Sequence, residues 1–405
     1  MSHISGSSSH PFIKSKDSVD GDEKDAELET EGCLTDPVTT PQQLSNWYYC
    51  LYLYQSSRLQ GADDSEAGSH RKPASTPGDE FSLSLGDTNL PAEAESELLS
   101  YISRRLSKGA LLEGMGNIAT VSLSVPEQSL GCYCCLVQQD KLQDQAGAAG
   151  GISTDFVICF LGGSEKGLEH FRLELDTYVQ GLQSSLSPQQ LSDLETHIRP
   201  YLSSWYEECV MHIQRVVQLT QDKVSFLLHA ALSHSPVEVV GGEDKVKKDI
   251  DRFLNAASFQ GLIHEDTTAA TLCNALSEEP QKDVTIDCSQ QQPQFLNAGS
   301  NRFCESWVQA FLNGADGGNP FLLRQILENF KLKAIQDLNS LKRLIQQAEM
   351  NHYALFRCYV FLKHCGNGDV LLQNVKVEHA EMPEAHRIVQ VLEEFMYEEG
   401  STSLQ

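Results

Sequence analysis

The loop Gly162–Gly167 (GGSEKG) carries the residue types that come closest to a recognised chemistry. It follows an apolar run and precedes a helical pattern, a setting in which backbone amides at a helix start bind phosphate. A phosphate-binding loop ends in Gly-Lys followed by Ser or Thr, so that the lysine and the amides converge on the anion. Here Lys166 precedes the last glycine, Leu168 follows it, and Glu165 would repel an anion. We therefore predict a tight turn from strand to helix and no phosphate site.

A second group of reactive side chains is the cysteine run at residues 132–135 (CYCC). A structural zinc site needs four ligands, which usually come from two separated pairs, and no neighbouring pair completes this one. In a strand Cys132 and Cys134 share one face, whereas Cys135 points to the other face. The run therefore predicts a buried strand and no metal site.

Other candidate catalytic groups also lack a recognised spacing. A nucleophile elbow requires Gly-x-Ser-x-Gly, and residues 162–166 lack the final glycine. His352, Cys358 and the pair at 364–365 are scattered ligand types, and Glu393 is followed by a second glutamate as on a solvated helix face. The sequence predicts no catalytic, cofactor-binding or metal-binding residues, and hence a protein that is not an enzyme.

Composition and charge exclude further classes of protein. The formal net charge of −26 over 405 residues weighs against binding to nucleic acid and to anionic lipid. The first hundred residues hold 18 acidic and six basic side chains, which favours a disordered acidic tail over residues 1–43. No apolar run reaches the length of a membrane span, and the amino terminus lacks the apolar centre of a secretory signal. We expect a cytosolic protein whose twelve cysteines are reduced.

The elements that position these residues divide the chain into two halves. Residues 44–185 are predicted to form an α/β sheet domain with the order strand, strand, helix, three strands, helix. That order resembles a longin-like module, a small α/β platform of membrane-traffic proteins, and an unrelated α+β sheet domain fits the same pattern. The predicted elements are strands at Trp47–Tyr54 and Phe81–Leu85, a helix between Pro91 and Gly109, strands at Asn117–Val125, Cys132–Gln138 and Asp155–Leu161, and a helix with Leu168, Phe171, Leu175, Tyr178 and Leu182 on one face.

Residues 186–398 are predicted to form a mainly helical domain with a small β element, followed by a disordered tail at 399–405. The fold class is therefore α+β, with an antiparallel sheet in the first half. The predicted elements are a helix or helix pair over Pro188–Val217 broken at Pro200, an apolar segment Val224–Ser233 too short to assign, a helix over Glu243–Phe259, a strand at Val284–Cys288 and a last helix opened by Pro383.

The most strongly patterned stretch runs from Asn301 to Phe356. A tryptophan-bearing amphipathic segment leads into a cluster of helix breakers at Asn313–Pro320, and a long helix begins beyond that cluster. The helix is either part of the protein's own core or a surface that faces a partner. Its apolar residues recur every three or four positions: Leu323, Leu327, Phe330, Ala334, Leu338, Leu341, Ile345 and Ala348.

Two interpretations remain open for the segment that follows. Tyr353–Leu362 and Val370–Val377 flank a turn that contains Asn367-Gly368, and Asn-Gly favours a β-hairpin. Tyr353–Leu362 also fits a continuing helix.

Several blocks of the chain resemble the Njmu-R family, over a range from about Tyr48 to Tyr397. The blocks are the stretch Asn301–Phe356, FSLSLGDTNLP at Phe81–Pro91, FLGGSEKGLEHFRLELD at Phe160–Asp176, FLLHAA at Phe226–Ala231 and GLIHE at Gly261–Glu265.

The resemblance implies a role in membrane traffic. The family is linked by name to spermatogenesis and is associated with a trans-Golgi vesicle-tethering complex built on a WD-repeat scaffold. The resemblance therefore implies a non-enzymatic subunit that helps to capture endosome-derived vesicles at the trans-Golgi network. Its partners would be the WD-repeat scaffold and a FAM-ninety-one-type subunit. The alternative is a longin-type regulator or exchange factor for a small GTPase.

Overall fold

A computed structural model of the chain describes residues 47–56, 81–111, 114–125, 127–138, 155–185, 197–259, 283–290, 292–378 and 382–402. All of them belong to one compact unit, Thr40–Gln405. The predicted tail at 1–43 lies outside the described residues.

The first half of the chain folds as a five-stranded antiparallel sheet with the strand order β2-β1-β5-β4-β3. The elements are β1 Tyr48–Ser56, β2 Phe81–Thr88, α1 Ala92–Ser107, β3 Asn117–Ser124, β4 Glu127–Val137, β5 Asp155–Leu161, α2 Glu165–Glu169 and α3 Arg172–Ser185. The α+β class and the predicted order of elements in this half are confirmed, except that the single helix predicted after β5 is two helices, α2 and α3, with Phe171 between them.

The central strands are buried on both faces, which explains their continuous apolar sequences. Every residue of β5 from Phe156 to Leu161 is buried. On one face, Leu98 and Ile102 of α1 pack on alternate strand residues. The opposite face belongs to a larger hydrophobic cluster that also contains Leu175 of α3 and Trp205.

The second half is mainly helical. Its elements are α4 Arg199–Ser203, α5 Trp205–Cys209, α6 His212–Thr220, the 3-10 turn Gln221–Lys223, α7 Val224–Leu232, β6 Val237–Val240, α8 Asp244–Ala257, β7 Val284–Asp287, β8 Gln294–Leu296, α9 Arg302–Asp316, α10 Pro320–Ala348, α11 His352–Cys365, α12 Gly368–Glu378 and α13 Pro383–Thr402. Strands β6, β7 and β8 form a small sheet in which β6 is parallel and β8 antiparallel to β7. The sequence predicted only β7 of these three strands.

The apolar stripe of α10 faces the protein's own core. All eight predicted stripe residues, from Leu323 to Ala348, are buried. Asn319 caps the start of the helix with hydrogen bonds from the amides of Phe321 and Leu322. The core interpretation of this stripe is therefore confirmed.

Several predicted boundaries differ from the structure. Pro200 lies in the first turn of α4, where its missing N–H costs nothing, and residues 188–196 of the predicted helix lie outside the described residues. The breaker cluster does not end α9 at Asn313, because Gly314 and Ala315 are buried and the helix continues to Asp316. Helix α13 runs to Thr402, four residues into the predicted tail at 399–405.

The hairpin interpretation of Tyr353–Val377 is wrong, since both segments are helices. Gly366 has a φ of 82° and ends α11 in the left-handed conformation that glycine adopts at a helix end. The Asn367-Gly368 pair then starts α12, and Asn367 is fully buried. A residue pair that favours a tight hairpin turn here joins two helices.

Candidate interaction surface

The loop at Gly162–Gly167 is a packed turn in the structure. The Ser164 hydroxyl accepts a hydrogen bond from the amide of Gly167 at 3.0 Å and so caps α2. Its glycines are needed for close packing, because a Cβ on Gly163 would lie 2.5 Å from the ring of Phe321. The amide of Gly162 donates to the carbonyl of Gly131 at 3.0 Å. The prediction of a tight strand-to-helix turn is confirmed.

The cysteines at 132–135 lie in β4, as predicted, and Cys132 and Cys134 share a face with their sulfurs 3.3 Å apart. Cys50 and Cys159 lie on the same face in neighbouring strands, beneath α1. Burial raises the pKa of Cys50 to about 12, and it also raises the pKa of Cys159 well above its usual value. The thiols of Cys50 and Cys159 therefore stay protonated and pack as small apolar side chains.

Metal-ligand groups are not assembled within the described ranges of the chain: no cluster of three or more His, Cys, Asp or Glu side chains there could hold a metal ion. His352 and His364 lie at opposite ends of α11 and are exposed. Cys358 lies in the middle of the helix and is buried. The structure therefore does not bring this scatter of ligand types together.

A groove of about 760 Å³ separates α1 from the edge strand β3. Glu97 reaches across it and accepts a hydrogen bond from the backbone amide of Ser124 at 2.8 Å and another from the Ser124 hydroxyl. The hydrogen bond from the Ser124 hydroxyl lowers the pKa of the Glu97 carboxyl. Arg104 donates to the Ser100 carbonyl of its own helix. This open, hydroxyl-lined groove presents no paired nucleophile and base.

Several large apolar side chains are exposed together in the helical bundle around α11. We call this cluster the α11 surface and define it by Met350, Tyr353, Phe356, Tyr359 and Phe395. Met350 is 91% exposed, Tyr353 68% and Phe356 58%. An exposed cluster of large apolar side chains is typical of a site that contacts another molecule.

The rings of the α11 surface form a continuous row. Tyr353, Phe356 and Tyr359 follow each other at three-residue spacing, with ring centroids 6.5 and 6.4 Å apart. Phe395 of α13 extends the row with an edge contact to Tyr359 at 6.1 Å. The opposite face of α11 is anchored by buried Ala354, Cys358 and Leu362.

Basic side chains flank this row. Arg357, one turn after Tyr353, is exposed, and Lys363 lies over the Tyr359 ring at 5.9 Å. Helix α11 contains no acidic residue, although the whole chain carries a net charge of −26. Sequence reasoning missed this surface because exposed aromatics have the same helical spacing as core aromatics. The missing acidic residues were the signal that could have indicated it.

The described helices give no candidate for a membrane span, since none combines the necessary length with sufficient apolar content.

Comparison with known proteins identifies the family. The model of the Njmu-R1-like protein family matches residues 49–398, most of the chain. Protein Njmu-R1 of Mus musculus is 58% identical over 388 residues, which cover 95% of this chain and 98% of the mouse protein. No solved structure matches the chain. On both findings, the chain belongs to the Njmu-R1-like protein family.

Proposed function

We propose that the protein is a non-enzymatic subunit of a vesicle-tethering complex. In this proposal it works on the cytosolic face of the trans-Golgi network and on cytoplasmic vesicles, where it helps to capture endosome-derived carriers. Its partners are the WD-repeat scaffold of the complex and a FAM-ninety-one-type subunit. The resemblance of the sequence to the Njmu-R family supports this assignment, and the family's name connects the same protein with spermatogenesis.

The observation that carries the proposal is the α11 surface. A subunit that acts through contacts alone needs exposed apolar area on a rigid element, with charges that select the partner. Helix α11 provides the apolar area, because its buried face is fixed in the bundle while Tyr353 and Phe356 remain exposed. The exposed side chain of Arg357 provides charge on the same helix. The loop at Gly162–Gly167 and the cysteines at 132–135 are instead used for capping and packing.

Affinity isolation tests the proposal. The tagged full-length chain is recovered from cells at physiological salt, and we expect the WD-repeat scaffold and the FAM-ninety-one-type subunit to be recovered with it in stoichiometric amounts. A matched sample washed at high salt reports how far charge contributes to the contact. Absence of the scaffold beside a bait with a normal thermal melting curve would rule out this function.

A second candidate function is that of a longin-type regulator or exchange factor for a small GTPase. The observation that favours it is the five-stranded sheet with α1 on one face, whose element order is that expected of a longin-like module. Such factors work by binding and need no catalytic pair of their own. Nucleotide-release assays across Golgi GTPases separate the two functions: accelerated release favours regulation, and unchanged release with the scaffold bound favours tethering.

A further inference from the structure

We infer that the α11 surface binds an acidic amphipathic helix of a partner protein. The aromatic row packs against the apolar side of that helix, and an exposed arginine beside the row forms ion pairs with its carboxylates. This inference rests on the proposed function and deepens it, because it names the chemistry of the partner segment that the subunit recognises.

The described arginines differ in whether another described residue pairs with them. Eight of the described arginines donate a hydrogen bond or form an ion pair with another described residue, namely Arg104, Arg105, Arg172, Arg199, Arg215, Arg252, Arg302 and Arg324. Arg343 of α10, Arg357 of α11 and Arg387 of α13 make neither contact with any described residue, and all three are exposed. These three belong to the helical bundle that carries the α11 surface.

Two of these arginines, Arg343 and Arg357, lie at matching positions in a pair of consecutive helices. The three-residue connection between α10 and α11 makes the helices antiparallel neighbours. Arg343 lies five residues before the end of α10 and Arg357 five residues after the start of α11, so they stand at the same level of the hairpin. Phe356 and Tyr353 lie beside Arg357 on α11. A guanidinium binds a carboxylate through two parallel hydrogen bonds, so this arrangement selects acidic side chains next to apolar ones.

The shape of the α11 surface favours a helical partner. The row from Tyr353 to Tyr359 extends about 9 Å in the direction of the helix axis, nearly two turns, and winds partly around the helix. A helix surface presents side chains and no free backbone donors, so an extended strand would gain no ladder of hydrogen bonds from it. A second helix laid along the row can bury these rings with apolar residues spaced at three and four positions.

An anionic membrane is the competing ligand for a surface with arginines and aromatic rings. Exposed Glu394 adjoins Phe395, and exposed Glu349 adjoins Met350. Insertion of the row would therefore carry these two carboxylates to the anionic lipid headgroups, which would repel them. A protein segment can place its own carboxylate at Arg357 and avoid both glutamates.

Site-specific photo-cross-linking tests the inference. The full-length chain is expressed in cells with p-benzoylphenylalanine at Phe356, irradiated and isolated, and the cross-linked peptides are sequenced by mass spectrometry. We expect a peptide with net negative charge and apolar residues at helical spacing. A chain with the probe at Leu173 of α3, which is 76% exposed, is the control. In the Phe356 chain, Arg357→Glu is expected to lower the cross-link yield about tenfold, equivalent to about 1.4 kcal/mol for one charge-assisted contact.

The alternative results have defined meanings. Lipid adducts, neutral or basic peptides, a yield no higher than at Leu173, or an unchanged yield with Arg357→Glu would each overturn the inference. Recovery of the WD-repeat scaffold in the same isolations tests the proposed function separately. If the scaffold is recovered without the expected cross-link, only the inferred chemistry of the partner is refuted. If the scaffold is not recovered with the chain that retains Arg357, the proposed function is refuted. Because Phe356 and Arg357 are exposed, we expect the substituted chains to keep the melting temperature of the original chain. An equal measured melting temperature excludes misfolding as the cause of a lower cross-link yield.

Discussion

His212 in α6 is a fully buried histidine, and neither ring nitrogen forms a well-aligned hydrogen bond with a described residue. Burial lowers its pKa to about 3, and nearby Arg324 contributes in the same direction. The folded protein therefore holds this imidazole neutral, whereas the unfolded chain protonates it below about pH 6.5. The contribution of His212 to stability is complete above pH 6.5 and is lost as the pH falls from 6.5 towards 3.

This pKa shift predicts that His212→Leu flattens the acid side of the stability curve. For the unsubstituted chain, one proton taken up only on unfolding lowers the free energy of unfolding by about 1.4 kcal/mol per pH unit over that window. Urea titrations at pH 7.5 and pH 5 of both chains measure the difference. Equal losses between the two pH values in both chains would show that His212 is not responsible.

Gly163 has a left-handed backbone with a φ of 56°, and a Cβ there would lie 2.5 Å from the Phe321 ring. Gly109 has a similar φ of 63° but has nothing within 4 Å of the added atom. We predict that Gly109→Ala costs about 1–2 kcal/mol from backbone strain alone. Gly163→Ala should cost a further 1–3 kcal/mol from overpacking. Chemical denaturation of both variants measures the two losses in the free energy of unfolding. Equal losses would mean that the Phe321 ring moves aside at no cost.

At the scale of the elements, Arg324 connects the helical half to the sheet half. Its guanidinium forms an ion pair with Glu174 of α3 at 2.6 Å and lies over the Phe171 ring at 5.2 Å. It also faces Glu328 of its own helix at 3.1 Å. The Arg324 side chain is only 7% exposed, so solvent screens these pairs weakly.

Substitution of Arg324 should lower the free energy of unfolding more than substitution of Glu174. Arg324→Met leaves the buried carboxylate of Glu174 without a cation, and we predict a loss of about 3–5 kcal/mol. Glu174→Gln should cost less, because Arg324 retains Glu328. A double-mutant cycle by urea denaturation gives both values and their coupling. A larger loss from Glu174→Gln would contradict this assignment of roles.

The elements that the sequence predicts correctly are those with a clear period and a buried face. Helix α10 shows one stripe over 29 residues, and β5 is apolar throughout because it is central. The prediction was less complete where burial is partial. Strands β6 and β8 are short and half exposed, so their alternation is weak. Helix α11 has exposed aromatics opposite a narrow buried face, and aromatic residues favour strands, which made a hairpin an open alternative.

The residues of the candidate site are harder to predict from the sequence than the helices and strands. The spacing of Tyr353, Phe356 and Tyr359 follows from the sequence once α11 is a helix. Their exposure depends on the neighbours, since α10, α12 and α13 pack on the other face of α11. Phe395 joins the row only through tertiary structure. A single sequence therefore contains the residues of this surface but does not distinguish it from core.

At the scale of the whole molecule, one hydrophobic cluster extends across both predicted domains. Phe160 of β5 stacks on Trp205 of α5 with ring centroids 5.0 Å apart, and Phe171 of α3 meets Phe321 of α10 at 5.8 Å. Trp205 is fully buried. The sheet face opposite α1 is therefore covered partly by residues beyond position 185.

This shared cluster predicts that residues 44–185 do not fold as a separate domain. Without Trp205 and Phe321, the fragment would expose the rings of Phe160 and Phe171 to water, which costs about 1.5–3 kcal/mol for each large side chain. We expect a weak near-ultraviolet circular dichroism signal and no cooperative thermal transition for 44–185. Residues 44–398, which keep both halves, are the control and should melt in one transition. A cooperative transition of 44–185 alone would show that the sheet folds independently, and the cluster would then be an interface between two domains.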